Sequence, residues 1–600
     1  MRQFGKTIKY LTLCTLIGAT VTSCDLDVNP PSNIAAETYW KTSKDAWYNL
    51  NAVYANTISG VGVYGETYTT DGYCQYSWES AGAIFQQDGF SALNDEGWNF
   101  EAIRKCNVYL NEVDNCDMDA ALKTRTKAEV RTMRALQYLA MTMTFGKVPI
   151  ITDVPAYDTP NVPRDEVSKV REFILKELTE AAADLPESYS GGGEFNEKGR
   201  ITKYAALSIK ARAALYFGQY DVAEAAAKDV IGSGKYSLWR ITNLTDAQKK
   251  EGEEMSIYVD FADEAAKEKF VKGMFNYESL WFTENATVDN PEYILARQYV
   301  DPDQEDWVRY TAMRPNQLGG WSSVTPTQNL VDAYWSADGH TVPAAPSIEA
   351  RAAAYDKIVA DVKKETAEEG STPFLTFVAK KTADGTLTKY DYMKEYRNRD
   401  SRMYASILFP FKTWHETNYG AGYAYEWIKG GNNESKTGFN YRKMVALTTD
   451  SKDNANATGD YPCIRYAEIL LIYAEAHTQT TGYDQSVRDA LNDLRDRCGM
   501  PDVPATLTKD EALNLIRRER RVELAGEGFR GDDMTRYEDS YWESEMNNVP
   551  ISMPDGETVI TMKWSSRMRL KPIPQTAITL NPLLENDQNR DINLTQISLN

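Results

Sequence analysis

Residues 203–231 spell out a helical hairpin. Tyr204-Ala205-Ala206, Ala211 and Ala213-Ala214-Leu215-Tyr216 keep helical spacing, Gly218-Gln219 break it, and Ala223 and Ala225-Ala226-Ala227 resume it. Small residues at close-packing positions, with a tight glycine turn between two helices, make a tetratricopeptide-type pair. Such a pair cannot bury its apolar face alone and needs stacked neighbours. A second pair is predicted over 467–478 and 485–497. Longer periodic helices are predicted over 43–58, 101–113 and 124–145, the last ending at Gly146. The period is irregular, so the array is repeat-like. The predicted fold class is mainly α, a tetratricopeptide-like helical-repeat body with a loop-rich, irregular region inserted.

The insertion covers 241–460, between helical regions at 37–240 and 461–600. It holds the strand-like run Glu292-Tyr293-Ile294-Leu295-Ala296, glycine and proline punctuation, and most of the isolated tryptophans. Loops held on a rigid scaffold are where binding usually resides. The chain has 13 Trp and 37 Tyr, more than a core needs, and these residues make amphipathic binding surfaces.

Residues 1–23 read as a signal peptide. Arg2, Lys6 and Lys9 form a basic start, and Tyr10 to Val21 a mostly apolar run of about a dozen residues, too short for the roughly 20 of a membrane span. Val21-Thr22-Ser23-Cys24 resembles a bacterial lipobox, with Cys24 as the lipidated residue. Asp25-Leu26-Asp27-Val28-Asn29-Pro30-Pro31 opens a tether over 24–36. Several acyl chains on one cysteine meet the requirement for stable anchoring. Removing the three basic residues takes the net charge from −21 to −24 (−21 − 3), a poor fit for phosphate backbones, so nucleic acid is excluded as a partner. Cys74, Cys106, Cys116, Cys463 and Cys498 remain. Five is odd and no CxxC pair exists, so a disulfide scaffold is excluded while a single bridge stays open.

Several motifs fail on context. Gly60-Val61-Gly62-Val63-Tyr64-Gly65 matches GxGxxG but follows a helix and runs into Tyr/Thr-rich sequence, so it is a loop. Gly232-Ser233-Gly234-Lys235-Tyr236 lacks the remaining phosphate-loop residues and ends a helix. The acidic run Asp301-Pro302-Asp303-Gln304-Glu305-Asp306 has Asp306 and Ala312 where an EF-hand needs Gly and Glu, so a solvated loop is expected and structural Ca²⁺ lacks support. Only His340, His415 and His477 exist, without metal or triad spacing. No cofactor and no catalytic residue is predicted, although counting acids does not rule out a carboxylate pair for glycoside hydrolysis. Arg517-Arg518-Glu519-Arg520-Arg521-Val522-Glu523-Leu524 reads as a salt-bridged helix.

That helix, continued through Ala525-Gly526-Glu527-Gly528-Phe529-Arg530, closely resembles the carboxy-terminal signature of the SusD/RagB lipoproteins. Further matches follow in the family's order: Cys24-Asp25-Leu26-Asp27, Thr38-Tyr39-Trp40-Lys41-Thr42, Ala128 to Ala135, Phe145-Gly146-Lys147-Val148-Pro149, Thr325-Pro326-Thr327-Gln328-Asn329, Arg399-Asp400-Ser401-Arg402, Ile464 to Leu471, and Pro572-Ile573-Pro574-Gln575. Gly531-Asp532-Asp533-Met534 departs from the family's usual aromatic followed by Asp-Leu. The resemblance implies a non-catalytic outer-membrane lipoprotein, exposed at the cell surface. It would capture a glycan and deliver it to a SusC-like TonB-dependent transporter. A peptide-capturing RagB-like role is the alternative, and a surface glycosidase a more distant one.

Sugar C–H faces suit aromatic platforms, with polar side chains fixing the hydroxyls. Two segments offer that mixture. Thr69 to Trp78 supplies Asp71, Tyr73, Tyr76 and Trp78, and the middle region supplies Trp281, Tyr299, Trp307 and Trp321. The expected ligand-binding set is Asp71, Tyr73, Tyr76, Trp78, Trp281, Tyr299 and Trp321, led by Trp78 and Trp321.

Overall fold

The computed structural model describes residues 39–154, 161–191, 197–299, 306–368, 374–416, 422–447 and 457–587. The signal peptide, the tether with Cys24, and Asp301 to Glu305 lie outside them. Helices α1 (Ser43–Thr57), α2 (Phe100–Glu112), α3 (Ala120–Phe145), α4 (Val167–Asp184), α5 (Lys203–Tyr216) and α6 (Tyr220–Gly232) come first; α7 (Tyr466–Thr480), α8 (Gln485–Arg497) and α9 (Lys509–Glu523) follow the insertion. Among the described residues, no helix is long and apolar enough to cross a membrane.

The predicted hairpin is α5 and α6. Thr202 caps α5 by accepting from the Ala205 amide at 3.1 Å. Gly218 turns the chain at φ 72°. Ala205, Ala206, Ala211, Ala213 and Ala214 are fully buried, because only a methyl group fits where neighbouring helices approach closely. The stack runs α3, α4, α5, α6 and then passes directly to α7, which packs on α6, α8 and α9. The helical body is therefore continuous in space although its sequence is interrupted. Arg212 on α5 fastens the junction with a bidentate pair to Glu468 on α7, at 2.6 and 2.7 Å.

Four strands matter for the site: β1 (Gly72–Cys74), β2 (Tyr293–Arg297), β3 (Val324–Pro326) and β4 (Tyr461–Arg465). β2 pairs antiparallel with β4, closing the base of the insertion just before α7. The insertion is less loop-rich than expected. It carries helices at Asp246–Tyr258, Glu264–Ser279, Ile348–Glu368 and Phe374–Ala383. The first escapes an apolar-period reading because polar residues sit on its buried side: Gln248 and Glu251 face inward with Met255 and Tyr258. Glu251 is held there by Lys412 at 3.0 Å and by Arg442.

The signature helix differs from expectation in where its acids pair. Glu519, Glu523 and the following Glu527 face inward and meet cations from other elements. Arg465 reaches Glu292 and Glu523, each at 2.8 Å, and Glu527 at 2.7 Å. Arg497 joins Glu292 and Glu523. Arg402 joins Asp400 at 2.7 Å, Glu519 at 3.0 Å and Glu523 at 3.2 Å. Arg495 takes Glu519 at 2.6 Å and Lys443 takes Glu527 at 2.7 Å. Five buried cations thus face five buried carboxylates (Asp400, Glu292, Glu519, Glu523, Glu527), the balance that burial of charge demands.

In the GxGxxG segment Gly60 to Gly62 form the expected loop, Val63–Tyr68 coil into a 3-10 helix, and the glycines have a packing reason. A Cβ on Gly62 would sit 2.5 Å from the Glu527 carbonyl oxygen, and one on Gly528 (φ 89°) would sit 2.3 Å from that of Gly62. The early loop and the turn after α9 touch backbone to backbone. Cys74, Cys106, Cys116, Cys463 and Cys498 are all free thiols, so none of them forms the single bridge left open by the sequence.

Candidate ligand-binding site

β1 and β3 build the site by pairing antiparallel, with Tyr73 opposite Thr325. The ladder extends through the Gln75 amide, which donates to the Ser323 carbonyl at 3.0 Å, while the Gln75 side chain donates to the Ser322 carbonyl at 2.7 Å. This sets Tyr76 and Trp78 beside Trp321. Trp307 arrives by a second device. A π-helical turn at Val308–Ala312, closed by the Met313 amide on the Val308 carbonyl at 2.9 Å, returns the chain so that the Trp321 amide donates to Thr311 at 2.9 Å. Such widened turns recur at functional sites. Ser322 holds a left-handed φ of 45°, a strained choice for a non-glycine residue, immediately after the exposed Trp321.

The result is a row of rings. Trp78 stacks on Tyr76 with centroids 4.6 Å apart and planes at 26°. Tyr76 meets Trp321 edge-on at 6.4 Å, and Trp321 meets Trp307 edge-on at 5.7 Å. Trp78 is 74% exposed, Trp307 41% and Trp321 39%. Three tryptophans this open in one contiguous patch are unusual for a surface that only faces water. Tyr76 is positioned by donating its hydroxyl to Asn433 Oδ1 at 2.6 Å. Glu79 below accepts from Tyr64 at 2.7 Å and from Ser323 at 3.0 Å.

The structure separates the expected residues. Tyr76, Trp78 and Trp321 come together, and Trp307 joins them. Asp71 and Trp281 do not belong to this surface, since both are buried. Burial alone would raise the Asp71 pKa, but Arg521 and Arg530 hold it below the usual carboxylate range. The Trp281 ring is stacked against Tyr461, with Lys443 5.2 Å above it in the charge network. Tyr73 is half-buried against a small second core around Phe85, Phe90 and Trp542. Tyr299 packs between Arg297 and Arg309 over Gly60, apart from the row. Trp307 had no signal beyond its residue type, because its partner is fourteen positions away across a turn whose shape no motif announces.

The loop bordering the row contains Glu434, whose carboxylate accepts from the Tyr425 hydroxyl at 3.0 Å. Burial pushes its pKa up to about 7, against hydrogen bonds that favour the charged form. A folded-state pKa above the ordinary 4.5 means that the native state holds the proton more tightly, so stability from this group falls as pH rises from about 4.5 to about 7 and then levels. Following the thermal midpoint from about pH 5 to about pH 8 should show the wild type losing more than Glu434→Gln. Identical slopes would show that Glu434 titrates normally.

Among the described residues, no group of three or more His, Cys, Asp or Glu could hold a metal ion. His477 lies between Glu224 and Asp484, and His415 beside Glu254, each in hydrogen-bond contact with those carboxylates.

Solved structures with the same stacked helical body are SusD-like proteins. A SusD-like protein from Bacteroides fragilis superposes with a TM-score of 0.69 at 24% identity, over 92% of this chain and 98% of that one. A SusD-like carbohydrate-binding protein from the same species gives 0.68 at 22% identity, over 91% and 100%. In sequence, SusD-like protein P38 of Formosa agariphila is 23% identical over 89% of this chain and 92% of its own. The profile of the SusD family matches residues 291–590, and a second profile, described as "starch-binding associating with outer membrane", matches residues 26–215. The chain belongs to the SusD family.

Proposed function

We propose that the protein captures a glycan on the row formed by Trp78, Tyr76, Trp321 and Trp307 and, without cleaving it, delivers it to a SusC-like TonB-dependent transporter in the outer membrane. The contiguous exposed rings carry this reading. Their faces match the apolar C–H faces of pyranose rings, and the stacked and edge-on orientations offer a curved surface to more than one sugar unit. The carbohydrate-binding relative and the starch-binding profile support the same ligand class. Lipid on Cys24 would keep the body at the cell surface beside its transporter.

Affinity electrophoresis across a panel of polysaccharides tests the reading. Retardation by at least one glycan, with no reducing sugar released on prolonged incubation, is expected. Peptide binding with no retardation would replace it by the peptide-capturing alternative, and release of sugar would make the protein a glycosidase.

A further inference from the structure

A cleft of about 440 Å³ opens along α9. Asn514, Arg518 and Arg521 of that helix line it, together with Trp335, His340 and Tyr541. Its volume falls within the roughly 300–1,000 Å³ of small-molecule sites.

The charges around it do not cancel locally. Arg517 pairs with Glu538 at 3.2 Å, and Arg521 with Asp71 and with Glu545 at 3.1 Å. Glu511 is turned to its own helix start, where it accepts from the Thr508 amide and hydroxyl, each at 2.8 Å. Arg518 has no such partner. Its guanidinium lies 5.2 Å over the Trp335 ring and donates once, to the Ala333 carbonyl at 2.9 Å; no carboxylate among the described residues makes an ion pair with it, and Glu545 acts on it only from farther away. Burial, and then the neighbouring Arg521, hold its pKa below the usual arginine value, against attraction from Tyr541 and Glu545. The buried Trp335 Nε1–H also lacks an acceptor among the described residues.

We propose that this cleft is a binding site for an acidic sugar unit, separate from the ring row, in which the free side of the Arg518 fork takes the carboxylate or sulfate and Tyr541 flanks the ring. A planar guanidinium already fixed by stacking and by one backbone carbonyl presents paired donors that match an oxyanion. The half-buried Tyr541 supplies apolar area for the sugar body, whereas the buried Trp335, carrying Arg495 and Arg518 over its ring, serves to fix the guanidinium.

Isothermal titration of the whole mature protein with glucuronate, glucose 6-sulfate, glucose and sodium acetate tests this. Saturable binding of one or both acidic sugars is expected, with glucose and acetate each weaker by about tenfold or more. Arg518→Met should weaken acidic-sugar binding by about tenfold or more, with retention by any neutral glycan unchanged. Because Arg518 also packs on Trp335, Asn514→Trp provides an independent block. Asn514 is exposed, so this change fills the cleft without touching the core. Equal binding of glucose, equal binding of acetate, no binding by wild type, or full binding by a folded Asn514→Trp variant would each overturn the proposal. None of these results depends on whether the ring row binds glycan.

Discussion

Replacing Glu523 with alanine is expected to destabilise the protein by about 3–5 kcal/mol. Glu523 is fully buried and accepts from Arg402, Arg465 and Arg497, which come from three separate elements. Burial alone would raise its pKa, but those three guanidinium groups hold it far below the usual carboxylate range. Removing the carboxylate leaves one buried positive charge without compensation, and the balance of five against five is lost. Since a whole domain is stable by only about 5–15 kcal/mol, the alanine variant should lose a large share of its stability and unfold at lower urea. Urea unfolding followed by circular dichroism measures the difference. Glu523→Gln should fall between the two, because it keeps the shape and one acceptor but not the charge. An alanine variant within about 1 kcal/mol of wild type would show that the network contributes no more than an exposed ion pair. The pH dependence has the opposite sign to that of Glu434: a depressed carboxylate contributes fully above its ordinary 4.5 and loses its contribution only as pH falls toward its folded value.

The second large effect falls on binding. Trp321→Ala should weaken glycan binding by about thirtyfold, or about 2 kcal/mol, the scale of a central aromatic contact. Trp78→Ala with Trp321→Ala should abolish measurable retention. Trp78 is so exposed that its removal should change stability by less than about 0.5 kcal/mol. That separates site from scaffold, because Trp281→Ala, emptied from the interior, should cost about 3–5 kcal/mol and lower the folded fraction instead. A folded double variant with undiminished affinity would move the site elsewhere.

The contrast between Trp78 and Trp281 shows what a linear sequence discloses. Trp78 stands among Tyr, Gln, Ser and Glu, and no apolar period claims it for a core. Trp281 stands between Leu280 and Phe282, and Lys443 and Arg465, both more than 150 positions away, roof it over. Asp71 misleads for the same reason. It looks like a hydroxyl ligand until Arg521 arrives from 450 residues on. The helical hairpins were legible because their partners are local and their alanines repeat. Glu251 hid its helix because a buried carboxylate reads as a solvated one until its cations are placed. The Arg/Glu signature looked like pairing along one helix because i,i+4 spacing is all that local sequence shows.

The contact between Gly62 and Gly528, with Asp71 on Arg521 and β1 on β3, gives the molecule a fixed order of completion. A chain delivered from its amino terminus exposes Tyr76 and Trp78 long before Trp321, and longer still before α9 emerges. The α1 to α6 stack can form early from neighbouring segments, whereas the ring row waits for the last stretch of polypeptide, as slow long-range contacts do. A half-delivered chain therefore has a scaffold but no complete ring row, and the assembled row itself reports that the chain has folded to its end.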